Sequence, residues 1–324
     1  MKRRDFLKAS AAVAASGFVS RQASAQAAAW PARPVKLIIP YAPGGASDNI
    51  GRPWADALSQ SFGQQFVIEN RGGAAGMIGA EGASKAAPDG YTFLMTPSAA
   101  ISVLPLLRQT PYDPQKSFMP VARIGDSIAG FVIHPSVGPK TLQETVEYAR
   151  KNPGKLAYGS AGLGSIQHMR IEMLKYRAKI DILHVPYRGA ADALNDLLPG
   201  NIQMMCEINP LPHAKAGRLN LLSINAPERS PEFPDTPTLT ECGYPNSDLP
   251  SWYAIWAPAG TPTDIIEKLH TRVTEITKTD EMKAKLRQIS GAPRSSTIAE
   301  MKQFLIDDMK TNEELIKNAN IKLE

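Results

Sequence analysis

Two glycine-rich segments of the sequence have the composition of anion-binding loops. Loop 1 is APGGASD, residues 42–48, and loop 2 is GSAGLGS, residues 159–165. Each follows a predicted strand and runs into a predicted helix, whose free N–H groups and dipole favour a negative charge. The glycines let the backbone approach a ligand closely, and Ser47, Ser160 and Ser165 add hydroxyl donors. A tight turn would explain either loop alone, whereas two such loops facing one cleft favour an anion site.

Motifs for other chemistries are incomplete. Residues 162–167, GLGSIQ, lack the third glycine of a dinucleotide fingerprint, and neither loop has the lysine of a P-loop. A hydrolase elbow needs glycine at position 158, which is tyrosine. His168 and His184 are candidate bases, but histidines at a helix start or a strand end are more often structural. An exported esterase or amidase that uses Ser160 or Ser165 remains the alternative from a different functional class.

Strands and helices alternate along the chain in a way that would position both loops. Apolar runs predict strands at Val35–Ile39, Phe66–Glu69, Tyr91–Thr96, Phe131–His134, Lys155–Tyr158, Ile182–Val185, Ile202–Glu207 and Ser251–Trp256. Helical spacing predicts helices at Ser47–Phe62, Met77–Lys85, Leu142–Arg150, Ser165–Tyr176, Ala190–Leu198, Asp264–Thr277, Glu281–Gln288 and Ile298–Lys317. This alternation predicts parallel sheets in an α/β fold. The stretch between Pro97 and Phe131 is predicted to be irregular, and it divides the strands into two sheets. In such sheets, ligands bind beyond the carboxyl ends of the strands.

The N-terminus has the pattern of an export signal. A basic start with Arg3 and Arg4 precedes an alanine-rich apolar run and the small residues Ala23-Ser24-Ala25. We therefore predict a signal peptide of the twin-arginine type over residues 1–25, and a soluble, exported, periplasmic product. The signal holds five basic residues and one acidic residue. Removing them from the 36 basic and 31 acidic residues of the chain leaves 31 and 30. A net charge of about +1 gives no support to a nucleic-acid groove.

The cysteine pattern indicates neither a metal site nor a redox motif. Cys206 and Cys242 are the two cysteines, and no CxxC is present. Cys206 lies inside a strand-like apolar run, so we expect a small buried residue rather than half of a disulfide. We expect no cofactor and no metal.

Ordered motifs along the mature chain are similar to those of a known family. They are WPxRP (30–34), IIPYAPGGASD (38–48), ENR (69–71), APDGY (87–91), PYDP (111–114), NPGK (152–155), YGSAGLGSIQH (158–168), HVPYRG (184–189), KAGR (215–218) and APAGTP (257–262). Together they resemble the extracytoplasmic solute receptors of tripartite tricarboxylate transporters, the Bug family. The resemblance covers essentially the whole mature chain.

That resemblance implies a type II periplasmic binding protein with two α/β domains and a ligand cleft between them. Domain 1 would comprise residues 26–127 and 250–324, and domain 2 residues 128–249. The implied function is the capture of a small organic carboxylate, a di- or tricarboxylate or an aromatic acid, for the membrane subunits of the transporter. We expect a monomer without enzymatic activity. A sensor subunit that presents the same ligand to a signalling protein is a further alternative.

The family's site residues carry over to matching positions of this chain. The resemblance implies ligand contacts from Gly44, Gly45, Ala46, Ser47, Asp48, Ser98, Ser160, Ala161, Gly162, Ser165 and Glu207. Two departures bear on the site. Pro53 falls inside the helix after loop 1, so we expect it to kink that helix or to delay its start. The segment 207–213 is shorter than its family counterpart, which faces the distal end of the ligand.

Overall fold

The structure is a computed structural model that describes residues 30–226, 228–245, 247, 251–289, 291–318 and 321. The chain divides into two units, Met1–Ala32 and Arg33–Glu324, and every element below belongs to the second unit. The described strands of that unit form two sheets. Sheet 1 has six strands and sheet 2 has five.

The elements follow the predicted alternation along most of the chain. The strands are β1 (Val35–Ile39), β2 (Phe66–Asn70), β3 (Thr92–Pro97), β4 (Phe118–Ser127), β5 (Ala129–Ile133), β6 (Ala157–Ser160), β7 (Leu183–Pro186), β8 (Met204–Glu207), β9 (Asn220–Asn225), β10 (Ser251–Pro258) and β11 (Gly291–Ala292). The helices are α1 (Ala46–Phe62), α2 (Met77–Ser84), α3 (Leu104–Leu107), α4 (Leu142–Lys151), α5 (Ile166–Ala178), α6 (Ala190–Leu197), α7 (Leu211–Lys215), α8 (Thr263–Lys278), α9 (Asp280–Gln288) and α10 (Ile298–Asn318).

Both sheets are mixed, which corrects the prediction of parallel sheets. In sheet 1, ordered β11-β4-β10-β3-β1-β2, the pairs β1–β2 and β1–β3 are parallel, but β10 is antiparallel to β3 and β4. In sheet 2, ordered β7-β6-β8-β5-β9, β6 is parallel to β7 and β8, but β5 is antiparallel to β8 and β9. The parallel pairs are those joined by crossover helices, as parallel connections require. Strand β5 of sheet 2 instead follows β4 of sheet 1, and strand β10 of sheet 1 follows β9 of sheet 2.

The stretch predicted to be irregular contains the longest strand of sheet 1. Strand β4 has ten residues, and Ser98 leads into a helical segment that starts at Ala99. Pro120 of β4 pairs with Trp256, and the register shifts between Ile255 and Trp256. A proline fits a strand at such an irregularity, because the ladder hydrogen bond it cannot donate is already displaced there. Because Pro120 interrupts the apolar run, the sequence pattern does not predict this strand.

Each sheet has a core of its own. Ile38, Leu94 and Trp256 of sheet 1 pack in one cluster with Leu305 of α10, and all four are buried. The second cluster surrounds sheet 2 and contains Cys206, which has no exposed surface. Cys206 is thus confirmed as a small buried residue, and in the described part of the chain it forms no disulfide with Cys242.

The chain passes between the sheets twice. The first passage follows Ser127, the last residue of β4, and the second lies between Asn225 of β9 and Ser251 of β10. The ends of the strands that carry loops 1 and 2 therefore belong to different sheets. The domain boundaries after residues 127 and 249 stay a prediction, and residue 249 lies outside the described residues.

Helix α1 starts within loop 1 and runs through Pro53. It begins at Ala46 and continues to Phe62, so the prediction that Pro53 delays its start is wrong. Because proline has no N–H group, the carbonyl of Asn49 has no donor from four residues further on. Gly51 lies on the inner face, where an added Cβ would come within 2.5 Å of Ile39.

Candidate ligand-binding site

Loop 1 delivers the first turn of α1 to the space between the sheets. Gly45 is the N-cap of α1, and its φ of −78° and ψ of 174° are open to any residue. No side chain caps the helix there, so its first N–H groups are donors that the cap does not satisfy. Gly44 has a φ of +75°, which favours glycine. Position 44 therefore requires glycine for its backbone conformation, whereas the backbone conformation at position 45 does not.

The Asp48 carboxylate holds loop 1 in this shape. Its Oδ2 accepts hydrogen bonds from the Gly44 N–H and from Arg52 Nε, both at 2.9 Å. Its Oδ1 accepts from Arg52 Nη2 and from Asn70 Nδ2, both at 3.1 Å. Asp48 is only 2% exposed. Both of its oxygens thus bind groups of the protein, and the structure places Asp48 as a support of the loop.

Loop 2 is held together by its own serines. Ser160 Oγ lies 2.6 Å from His184 Nε2 and accepts from the Gly162 N–H at 3.1 Å. Ser165 is the N-cap of α5, and its Oγ accepts from the His168 N–H at 3.4 Å. Both serines are fully buried. Their hydroxyl groups therefore stabilise the conformation of loop 2 through hydrogen bonds within the protein.

A stack of three rings braces loop 2. The His184 ring lies between Tyr158, with centroids 4.7 Å apart, and His168, at 4.5 Å. His168 Nδ1 accepts from the Gly164 N–H at 3.2 Å. Burial lowers the pKa of His168 to about 4, and burial together with the neighbouring His168 lowers the pKa of His184 to about 4. Both rings are therefore neutral at pH 7 and act as structural groups.

The two loops meet at a small cavity of about 10 Å³, which is space for about one water molecule. On the sheet 1 side it is lined by Tyr41, Gly45, Ala46, Ser47, Pro97 and Tyr253, and on the sheet 2 side by the loop and helix residues Ala161, Ile166, Gln167 and Ala190. Four of the predicted site residues, Gly45, Ala46, Ser47 and Ala161, are in this lining. The structure thus brings the two loops together at one place.

The remaining predicted residues lie behind or beside the lining. Gly44, Asp48, Ser160, Gly162 and Ser165 form the bodies of the two loops.

Ser98 and Glu207 are buried next to lining residues. Ser98 is 1% exposed, follows Pro97, and its Oγ has no hydrogen-bond partner within the described residues. Glu207 is 1% exposed and accepts hydrogen bonds from Gln167 Nε2 and from the Ile208 N–H.

Sequence reasoning missed three polar residues of the lining: Tyr41, Gln167 and Tyr253. The Tyr41 hydroxyl donates to the Ala75 carbonyl at 2.9 Å. Burial raises the pKa of Tyr253, as does the nearby Glu207 carboxylate, whereas a hydrogen bond with Ser47 lowers it. Tyr41 stands two residues after β1, and Gln167 lies in the first turn of α5. Both positions are at the ligand-binding edge of a sheet, which could have indicated them from the sequence.

Contacts across the cleft join loop 1 to sheet 2. Asn209 Nδ2 donates to the Gly44 carbonyl at 3.3 Å, and Asn49 Nδ2 donates to Asn209 Oδ1 at 3.4 Å. An added Cβ on Gly189, at the start of α6, would lie 3.0 Å from the Ala42 Cβ. The structure is therefore a closed form. The segment 207–213 contributes Glu207 beside the cavity and Asn209 to the contact with loop 1.

A larger cavity of about 1110 Å³ lies on sheet 1 alone, between β4, β10 and α10. Tyr112, Trp256 and Leu305 are among its lining residues. None of the predicted site residues reaches it. The small cavity is the better candidate site, since it joins both loops and both sheets.

Comparison with known proteins identifies the family. Residues 50–321 match the model of the tripartite tricarboxylate transporter family receptor. The chain belongs to this receptor family. The protein BugT of Bordetella pertussis is 32% identical over 299 residues, which cover 91% of this chain and 92% of BugT. The receptor is thus also a relative of the Bug proteins.

Solved structures support the same assignment. The R. palustris protein Rpa4515 with adipate has a TM-score of 0.87 at 33% identity, with 90% of this chain and 99% of that chain covered. MatC from Rhodopseudomonas palustris with bound malate has a TM-score of 0.84 at 28% identity, with 89% and 100% covered. The receptor therefore has the fold of periplasmic binding proteins, as predicted.

The export prediction is confirmed by a match of residues 1–20 to a twin-arginine translocation signal. This signal lies outside the described residues. Signal and family together indicate a periplasmic receptor. Among the residues that the structure describes, no helix combines the length and apolar character needed to cross a bilayer.

Proposed function

We propose that this receptor captures a small organic carboxylate between loops 1 and 2 and presents it to the membrane subunits of a tripartite tricarboxylate transporter. The observation that carries the proposal is the shared cavity. Gly45, Ala46 and Ser47 of loop 1 and Ala161 of loop 2 line one space, although the loops belong to different sheets. The start of α1, which no side chain caps, supplies neutral N–H donors there.

An anion bound to both loops would favour the closed form. Hydrogen bonds to a charged group contribute about 1.5–3 kcal/mol each. If the open form makes only part of these bonds, the ligand shifts the equilibrium by the difference. The cavity of about 10 Å³ is smaller than an organic acid, so binding requires the cleft to widen around the ligand.

Related receptors support the ligand class. One solved relative carries adipate and another carries malate, and both are small dicarboxylates by their names. We propose the same broad class, small carboxylates, for this chain. The exported serine hydrolase is the weaker alternative, since Ser160 and His184 are close but Ser160 is fully buried. Recovery of a bound ligand in intact form, measured by mass spectrometry, would distinguish binding from turnover.

The binding proposal is tested by substitution of Gly45. An added Cβ there would have only an ordinary contact, 3.5 Å from the Ala42 carbonyl oxygen, so the backbone tolerates it. Gly45→Val should fill the space that a carboxylate needs and abolish binding in calorimetric titrations with mono-, di- and tricarboxylates. Gly45→Ala should weaken binding less, and Ala57→Val, in the same helix but outside the cavity lining, is the control. Normal binding by a folded Gly45→Val protein would show that loop 1 is only a turn.

A further inference from the structure

One acceptor in the cavity lining is left without a hydrogen-bond partner. Gln167 is 6% exposed, and its Oε1 bonds to no group in the described part of the chain. Its Nε2 donates to the Glu207 carboxylate. A buried acceptor without a partner costs free energy, so a group that donates to it from the cavity would be favoured.

The direction of the Gln167 amide is fixed by its neighbour. Glu207 Oε1 accepts from the Ile208 N–H at 2.9 Å, while the other oxygen accepts from Gln167. An ionised carboxylate can only accept hydrogen bonds. Rotating the amide by half a turn would place the Gln167 oxygen against the Glu207 carboxylate, acceptor against acceptor. The amide therefore presents its oxygen, and not its NH₂ group, to a ligand.

We propose that Gln167, oriented by Glu207, is a specificity-determining residue that selects carboxylates carrying a hydrogen-bond donor, a hydroxyl or an N–H group. This inference rests on the proposed function, since the ligand carboxylate is taken to bind the glycine loops. The acceptor oxygen would repel a second carboxylate at this point of the cavity. A hydroxy acid or an amino acid satisfies the acceptor, whereas the unsubstituted acid of the same length leaves it unpaired.

Both residues lie on elements that hold them firmly. Gln167 stands in the first turn of α5, whose N-cap Ser165 is fully buried, and Glu207 is the last residue of β8. Arg170, three residues after Gln167 on α5, is fully buried as well. Its positive charge lowers the pKa of Tyr253, whereas the Glu207 carboxylate raises it. The Gln167 acceptor thus lies among buried polar side chains on a helix and a strand, and not in a loop.

The expected discrimination is large enough to measure. Leaving a buried acceptor unsatisfied should weaken binding about tenfold to a hundredfold relative to the ligand that pairs it. Isothermal titration of the full mature protein with matched acid pairs tests this directly. The pairs are propanoate and lactate, succinate and malate, and glutarate and 2-hydroxyglutarate, each differing in one hydroxyl group.

Three variants separate the acceptor from general binding. Gln167→Met keeps the side-chain length without the acceptor, and it should reduce the preference for the hydroxylated acid to less than about threefold. Glu207→Gln releases the amide, so the preference should also fall, and tolerance of the unsubstituted acid should rise. Gln143→Met, on the exposed face of α4, should leave the affinity for both acids of each pair unchanged. Thermal unfolding of each variant establishes that it is folded.

The outcomes distinguish the two proposals. If some acid pair binds and its hydroxylated member binds about tenfold tighter only when Gln167 is present, the inference holds. If both members bind equally, for instance because a water molecule pairs Oε1, the inference is wrong and the carboxylate function stands. Equal loss of both acids in Gln167→Met would also overturn it. If no carboxylate binds the parent protein at all, the proposed function fails, and this inference fails with it.

Discussion

The support of loop 1 by Asp48 leads to a prediction about stability. In Asp48→Ala, four hydrogen bonds are lost: one from Gly44, one from Asn70 and two from Arg52. Arg52 has a side chain that is 56% exposed, so its guanidinium regains water. The Gly44 N–H and the Asn70 amide are only partly exposed and regain less.

The size of the effect follows from these contacts. A donor left unsatisfied costs about 1–3 kcal/mol, and the lost acidic residue in the first turn of α1 adds about 0.3–1 kcal/mol. Partial hydration of both donors reduces the sum, so we expect a loss of about 2–4 kcal/mol in the free energy of unfolding. For a mature chain of about 300 residues the melting temperature should fall by about 1–2 °C for each kcal/mol. Carboxylate binding should weaken as well, because Gly44 and Gly45 lose their fixed geometry.

Differential scanning calorimetry measures the first effect and isothermal titration the second. Asp56→Ala is the matched control, since Asp56 lies on the exposed face of the same helix. Asp48→Asn should be intermediate, because its amide keeps one acceptor oxygen. If Asp48→Ala melts at the same temperature as Asp56→Ala, the carboxylate does not hold the loop and the reasoning fails.

Three further predictions follow from the structure and the sequence. The pKa of His168 and of His184 lies at about 4 in the folded protein, below the value of about 6.5 expected when unfolded. The unfolded chain therefore binds more protons between these values, and the free energy of unfolding should fall as the pH drops from 6.5 to 4, less steeply in His184→Gln. Two thiols should react in denaturant without reductant, and Cys206 should be unreactive in the native protein because it is fully buried; fewer than two would indicate a disulfide. Replacing Arg3 and Arg4 with lysine should stop twin-arginine export, measured as periplasmic yield, and an unchanged yield would indicate the general secretory route.

Much of the fold could be predicted because its signals are local. Strand β1 is a continuous apolar run, and α1 has its apolar residues at helical spacing, so both could be located to within one or two residues. Strand β4 could not, because Pro120 interrupts its pattern and is accommodated only by a register shift against β10, more than 130 residues away. Strands β5 and β10 could be located from the sequence, but their antiparallel direction could not be predicted, for a related reason. Their direction depends on how the chain crosses between sheets, and no local pattern encodes that.

The same distinction between local and distant signals applies to the candidate site. Backbone features could be predicted, because a glycine pair between a strand and a helix is visible in a short stretch of sequence. Side-chain roles could not, because the partners are distant in the chain. Asp48 bonds to Asn70, Ser160 lies against His184, and Gln167 donates to Glu207. Each pairing depends on which strands become neighbours in a sheet, so serine and aspartate in a glycine loop read equally well as ligand contacts or as supports.

The contacts across the cleft show how closure would depend on the ligand. The bonds that Asn209 makes with Gly44 and Asn49 are 3.3 and 3.4 Å long and partly exposed, so together they contribute on the order of 1 kcal/mol. Moving an equilibrium from one closed molecule in a hundred to ninety-nine takes about 5.5 kcal/mol. On the proposed function, a carboxylate that gains about four bonds on closure supplies at least that amount at about 1.5–3 kcal/mol each. The protein's own contacts would then hold the cleft closed only weakly, while the bound anion would determine how often a closed form, widened around the ligand, is reached.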